Sequence, residues 1–194
     1  MNKLARSDLF SLEQYAALRN EFRAKVMAHK KNRHIPIGPH VALYFEDRLT
    51  MQYQIQEMLR AERIFEASGI AEELDAYNPL IPDGDNWKAT MMIEYEDVNE
   101  RREALERLQG IEQRVWARAD NLAKVWAIAD EDMDREDETK TAAVHFLRFQ
   151  LPADIISAVK QGRAISFGID HSVYNYEVAP VPENIRKALA ADLA

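Results

Sequence analysis

Cysteine is absent from these 194 residues. That excludes disulfides, a thiolate nucleophile, a zinc finger and any iron–sulfur cluster held by this chain. No run of about eighteen apolar residues occurs, so no helical membrane span is available. The opening stretch MNKLARSDLFSLEQY lacks the uninterrupted apolar core of a signal peptide, and a cytoplasmic location is the expectation. Also missing are a Gly-rich phosphate loop, a G-x-S-x-G elbow and the aromatic–basic pattern that binds single-stranded nucleic acid. Internal repeats and low-complexity linkers are absent as well. What is present, 47% hydrophobic and 30% charged residues, is the composition of a soluble domain of ordinary size.

The formal charge of −8 is concentrated in one place. Residues 130–138, DEDMDREDE, set seven acids against one arginine, which accounts for −6 and leaves −2 for the rest of the chain. Neither a nucleic-acid surface nor a membrane surface is indicated by so balanced a remainder. Asp130, Asp132, Asp134 and Glu136 alternate as in a calcium loop, but Arg135 stands where its glycine is needed. Thr141 stands where a bidentate Glu is required. A solvated, mobile loop is the expectation for this run.

Ser11 and Gln14 form a capping-box pair ahead of an apolar face made by Leu12, Tyr15, Leu18, Phe22 and Val26. Lys25, His29, Lys30, Lys31 and Arg33 crowd the far end of that helix, where cations oppose the negative pole of the dipole. Ile35-Pro36-Ile37-Gly38-Pro39 then breaks the pattern and leads to a strand over Val41 to Phe45. A long helix is predicted from Arg48 to Phe65, and Ser68 is the predicted cap of the next one. The second half reads mainly as strands, over 89–95, 115–119, 123–129, 143–151, 164–169 and 174–178. Asp97 and Pro152 open short helices between them. Asp120-Asn121 divides a hairpin that sets Trp116 across from Trp126. The chain is thus helix-rich over 11–77 and strand-rich over 88–178, with a terminal helix over 182–193. The fold class is α+β, a single domain with a largely antiparallel sheet of about 5–7 strands packed by helices.

The stretch from Glu57 to Gly84 is the most informative for function. It joins a helix carrying a carboxylate on its apolar side to a loop stiffened by Pro79 and Pro82. Met51, Ile55, Met58 and Phe65 follow a core-facing stripe, and Glu62 falls at the same angle. A carboxylate buried there needs a partner, a metal or a water-filled pocket, whereas at an edge position Glu62 reaches solvent or pairs with a nearby arginine. Asn78 precedes a proline and is biased to an extended backbone, so its amide is free to fasten a neighbouring segment or touch a ligand. Arg60 pairs with Glu57 at i,i+3 spacing or serves a ligand.

Histidines supply the remaining candidates. His40 follows Gly38-Pro39 at the mouth of a strand, a rigid position for an imidazole. His145 shares a strand face with Leu147 and Phe149, while Arg148 projects from the other face with Val144 and Phe146. His171 follows Asp170 at a strand end, close to Tyr174. His145 and His171 are the candidate acid/base groups. A metal ion would have to gather His40, Glu62, His145 and His171 from distant segments, since no pair has helical ligand spacing. Arg60, Asn78, Arg148 and Tyr174 are the candidate binding residues for a small anionic ligand or a protein partner.

The strings EMLRAERIF, EELDAYNPLIPDG, AVHFLRFQLP and GIDHSVY, in that order, resemble a bacterial domain family of unknown function that is similar in length to this chain. The resemblance implies genes lying beside those for rubrerythrin and a large iron–sulfur oxidoreductase, and so a cytoplasmic role near peroxide or redox metabolism under oxidative stress. It supplies no activity, cofactor or catalytic residue. Two functions follow as expectations. One is an accessory or small-ligand-binding protein that docks on a redox partner. The other is an enzyme with a metal or a histidine acid/base group and a small-molecule substrate.

Overall fold

The computed structural model describes residues 2–129 and 140–194. The acidic run 130–138 lies outside the described residues. Among those described, six α-helices and nine strands form a single α+β domain, as the alternation of helical and strand patterns predicts.

The first helix, α1 (Leu12–Lys30), opens on the predicted box: Ser11 Oγ accepts from Gln14 N, and Gln14 Oε1 accepts from Ser11 N. Strands β1 (His34–Ile37) and β2 (Val41–Phe45) follow as a hairpin around Gly38. Ile35-Pro36-Ile37 is therefore strand as well as helix breaker. Pro36 is accommodated because β1 is an edge strand, which can spare an N–H. Helix α2 (Arg48–Ala61) and helix α3 (Ala67–Tyr77) come next. Then follow β3 (Asn86–Ile93), α4 (Val98–Arg107) and β4 (Val115–Ala119).

Two short strands, β5 (Val125–Trp126) and β6 (Ile128–Ala129), precede β7 (Val144–Gln150), α5 (Ala153–Lys160) and β8 (Ile165–His171). Strand β9 (Tyr174–Val178) and helix α6 (Glu183–Ala190) complete the chain.

The strands divide between two antiparallel sheets, ordered β1-β2-β3-β7-β6 and β5-β4-β8-β9. The predicted hairpin exists, with Trp116 opposite Trp126, but its second arm changes sheets. Val125 and Trp126 pair with β4, whereas Ile128 and Ala129 pair with β7. That switch joins the sheets along one side. On the other side the Tyr174 hydroxyl donates to Ile37 O at 2.7 Å and accepts from the His40 and Val41 N–H groups at 3.0 and 3.1 Å.

Alternation in β7 buries His145, Leu147 and Phe149 and leaves Val144, Phe146 and Arg148 on the half-exposed face. Phe45 and Phe149 from one sheet meet Phe167 from the other at ring separations of 4.9 and 5.7 Å. Helices α4, α5 and α6 add Ala104, Ile155 and Leu189 to the same core. A second, smaller core of Leu4, Met51, Ile55, Leu59, Leu74 and Ile81 holds the N-terminal segment, α2 and α3 together. No described helix is long and apolar enough to cross a membrane.

Two predicted boundaries shift. The helix predicted to reach Phe65 stops at Ala61, because Arg63 turns into the left-handed region (φ 57°) and Ile64 N bonds back to Leu59 O at 2.9 Å. This is the Schellman pattern, with an arginine in glycine's usual place. Helix α3 starts at Ala67 with Glu66 as its N-cap, so Ser68 lies inside the helix rather than capping it.

Gly168 in β8 faces Trp116 across the sheet, and a Cβ there would sit 2.3 Å from the indole ring. Trp116 is fixed in place by its N–H donating to Asp170 at 2.7 Å and by Lys124 Nζ over its ring at 4.2 Å. Gly168→Ala is therefore expected to lower stability by about 1–3 kcal/mol through overpacking. A lower urea midpoint at unchanged slope is the measurement that checks it; an unchanged midpoint refutes it.

Candidate functional site

The residues nominated by the sequence are spread over separate elements. His145 is buried, with Nε2 2.8 Å from Thr141 Oγ1 and 2.9 Å from Ala142 O, and the Glu112 carboxylate 3.9 Å away. His171 Nε2 lies 3.2 Å from Gln109 O, so these two histidines meet the two ends of one short turn. His40 stacks on Tyr95 with ring centroids 3.9 Å apart, and its Nδ1 lies 3.1 Å from Glu94 O. This stack forms one wall of an open cleft that also contains Glu100 and Arg101.

Glu62 is exposed beyond the last turn of α2, the solvent-reaching alternative rather than a place in the core stripe. The helix ends before it, so the helical angle no longer applies. Among the described residues no group of three or more His, Asp or Glu side chains is arranged to hold a metal ion.

The binding candidates are equally dispersed. Asn78 takes the Leu4 N–H at 2.8 Å and returns its own amide to Leu4 O at 2.9 Å, fastening the N-terminal segment to the end of α3. Tyr174 is the staple between β9 and the first hairpin. Arg148 donates to Gln150 Oε1 at 2.6 Å along β7. Arg60 is exposed, with its charge felt at Glu57. Glu57 is held principally by Arg19, through bonds of 2.8 and 2.7 Å, and also accepts the Tyr15 hydroxyl at 2.6 Å. Arg19 first, against a contrary push from burial, draws the Glu57 carboxyl down to about 2.

The fold creates two further arrangements. The first is a groove of about 480 Å³ between the N-terminal segment and the α2–α3 corner, where apolar side chains are joined by Arg6, Ser11, Glu13 and Gln14. Leu9, Phe10 and Leu12 form one wall, and Leu59, Ile64 and Ile70 the other. Gly69 shapes it, because a Cβ there would lie 2.7 Å from Ile64 Cγ2; its absence lets the end of α2 settle onto α3. Phe65 sits on the rim, 71% exposed, where the helical stripe had placed it in the core.

The second arrangement is a buried ionic cluster. Arg33, 3% exposed, directs its fork at both oxygens of Asp192, at 2.9 and 2.5 Å, while its Nε lies 2.9 Å from Asp47 Oδ2. His29 Nε2 lies 2.5 Å from the same Asp47 oxygen. A carboxylate at that distance fixes the proton on Nε2, which leaves Arg33 Nε to donate to Asp47 rather than to the imidazole. Asp47 Oδ1 caps α2 by accepting Thr50 N at 2.9 Å. Beside it, Glu46 accepts the hydroxyls of Thr50 and Thr90 at 2.6 and 2.8 Å.

Burial works to raise the Asp47 carboxyl, but Arg33, the Thr50 N–H and His29 outweigh it and hold the group below its ordinary range. Among the described residues Asp192 has only Arg33 as a side-chain partner. Burial, with the charge of Asp47 adding to it, pushes Asp192 up to about 7. Sequence signals mark one member of this cluster: Asp47 stands three residues before Thr50, at N-cap spacing. Nothing local marks Asp192.

Arg33→Met keeps much of the side-chain length and removes the fork. Because it strands two buried carboxylates, a loss of about 3–5 kcal/mol is expected in urea unfolding at about pH 8. Asp192 has a raised carboxyl in the folded state, so the stability it contributes is present below the ordinary carboxylate range and is lost as pH rises through about 7. The variant should accordingly lose less at about pH 5.5, where Asp192 is able to hold a proton. An equal or greater loss at the lower pH contradicts this account of the cluster.

Comparison with known proteins supplies relatives without a function. The chain is similar along its whole length to a solved structure described as a novel protein of unknown function from Burkholderia pseudomallei K96243. The two are 50% identical, the match covers 100% of each chain, and the TM-score is 0.95. No curated protein matches the chain. A family model described as "Protein of unknown function (DUF3501)" matches residues 3–193, which takes in both sheets, the groove and the ionic cluster. The chain belongs to that family.

Proposed function

We propose that this protein is an accessory module of redox or peroxide metabolism that works by holding a partner protein. The observation that carries the reading is Phe65, a large aromatic side chain 71% exposed on the rim of the groove. Scattered exposed hydrophobics are ordinary, but this one continues an apolar surface through Phe10, Ile64 and Ile70. The occupant is the apolar face of one helix from the partner, laid between the N-terminal segment and the α2–α3 corner.

The redox assignment comes from the resemblance to a family encoded beside rubrerythrin and an iron–sulfur oxidoreductase. A chain without cysteine has no thiol redox chemistry of its own, so redox chemistry would come from the partner. A small anionic ligand is less well supported, because Arg60, Asn78, Arg148 and Tyr174 lie on separate elements.

A second reading has one observation behind it. His29, about one-third exposed, is oriented by Asp47 in the carboxylate–imidazole arrangement that general acid/base catalysis uses. The two readings part at His29→Asn, which leaves partner capture intact if the protein is a docking module.

The test is purification of the tagged full-length protein from its native host, beside Phe65→Ser and His29→Asn. The parent and His29→Asn are expected to retain the neighbouring oxidoreductase or rubrerythrin, identified by mass spectrometry. Phe65→Ser should lose it while melting at the same temperature. Retention by Phe65→Ser, or absence of either redox protein from the parent, overturns the proposal.

A further inference from the structure

We infer that the groove accepts a basic amphipathic helix. The inference rests on the docking role proposed above and adds the chemistry of the occupant. Its basis is a set of carboxylates left uncompensated beside the apolar surface. Glu73 follows Ile70 by one turn on α3, and Glu66 is the N-cap of that helix, next to Phe65. Glu62 stands at the corner leading into that helix.

Among the described residues, none of these three acids takes part in an ion pair or a side-chain hydrogen bond. Their crowding is felt at Glu73, whose carboxyl is raised by burial and then by the charges of Glu62 and Glu72. On the same end Asp8 has Arg48, Glu57 has Arg19, and Asp83 has Lys3 and Lys88, while Glu21, Glu72 and Asp75 are, like these three, in no ion pair among the described residues. The opposite wall of the groove carries a further acid, Glu13, and one cation, Arg6.

The groove's own charges, Glu13 and Arg6, balance, so the acids beside it set the local sign and favour an occupant whose own edges are cationic. Each new pair supplies the missing countercharge, and the summed field speeds the encounter. The same acids disfavour the other ready occupant of an apolar groove, an acyl chain with an anionic headgroup, because they place like charges together. An amphipathic helix with apolar residues at i, i+3, i+4 and i+7 and lysine or arginine flanking them meets both demands.

The test uses two labelled helical peptides of about eighteen residues with an identical leucine stripe, one flanked by lysine and one by glutamate. Binding to the full chain is followed by fluorescence anisotropy. The protein is acidic as a whole, so charge reversal on α3 (Glu66→Lys with Glu73→Lys) is compared with reversal on α4 (Glu103→Lys with Glu106→Lys). The lysine peptide should bind the parent at least about tenfold more tightly than the glutamate peptide, and lose that advantage between about 50 and 500 mM salt. The α3 reversal should weaken it by about tenfold or more, and the α4 reversal by less than about twofold.

Equal affinity for the two peptides, or equal effects of the α3 and α4 reversals, overturns the inference. If Phe65→Ser abolishes binding while the α3 reversal does not, the basic character of the occupant fails and the docking role stands. If Phe65→Ser leaves both peptides bound as before, the groove is not the docking site and both fail. Binding of an anionic phospholipid vesicle, in place of the lysine peptide, also overturns it.

Discussion

A single buried guanidinium ties together parts of the chain that are far apart in sequence. Arg33 follows α1, Asp47 opens α2, and Asp192 lies beyond α6, 159 residues from Arg33. Each of these groups would be costly to bury alone, and together they compensate one another only when all three segments are in place. The arrangement is therefore a condition on geometry more than a source of net stability. Trp87 adds a second fastening, its indole N–H donating to Leu189 O at 2.9 Å, so that α6 is held to β3 as well.

With that junction fixed, the molecule has two ends of different character. At the sheet end, polar groups are consumed in holding the sheets together. Tyr174 serves three backbone groups, His145 serves Thr141 and Ala142, and Asp170 serves Trp116 and Lys124. Binding a ligand through any of these would mean breaking an internal bond first, with the cost of leaving a buried group unsatisfied. At the helical end some groups are likewise engaged, as in the Glu57–Arg19 and Asp83–Lys3 pairs, but Glu62, Glu66 and Glu73 have no ion pair or side-chain hydrogen bond among the described residues, and Phe65 stands in solvent.

Much of the fold is legible in the sequence wherever the signal is local. The Ser11–Gln14 box, the Asp97 cap, the Trp116–Trp126 pairing and the alternation through His145, Leu147 and Phe149 each depend on residues within a few positions of one another. Division of the strands into two sheets is not legible, because it turns on Ala127 passing from one sheet to the other, a matter of the register of β4 and β7. The ionic cluster is hidden for a related reason. Arg33 reads as one more cation in a solvated run after α1, and only the return of the C-terminal segment makes it a buried one.

The groove is hidden in the sequence by a change of helical phase. Continuing the α2 stripe to Glu62 and Phe65 assumes that the helix goes on, and on that assumption both face the core. The left-handed turn at Arg63 ends the helix and swings both residues outward. A left-handed arginine is unusual, since glycine takes this position at lower cost. The chain accepts that backbone conformation and an exposed phenylalanine within three residues, beside acids that repel one another. The turn at Arg63 is closed by Ile64 N bonding to Leu59 O at 2.9 Å, whereas the exposed ring and the acids' carboxylates have no such bond among the described contacts. An exposed ring beside like charges is the feature of this corner that the docking role proposed above would use.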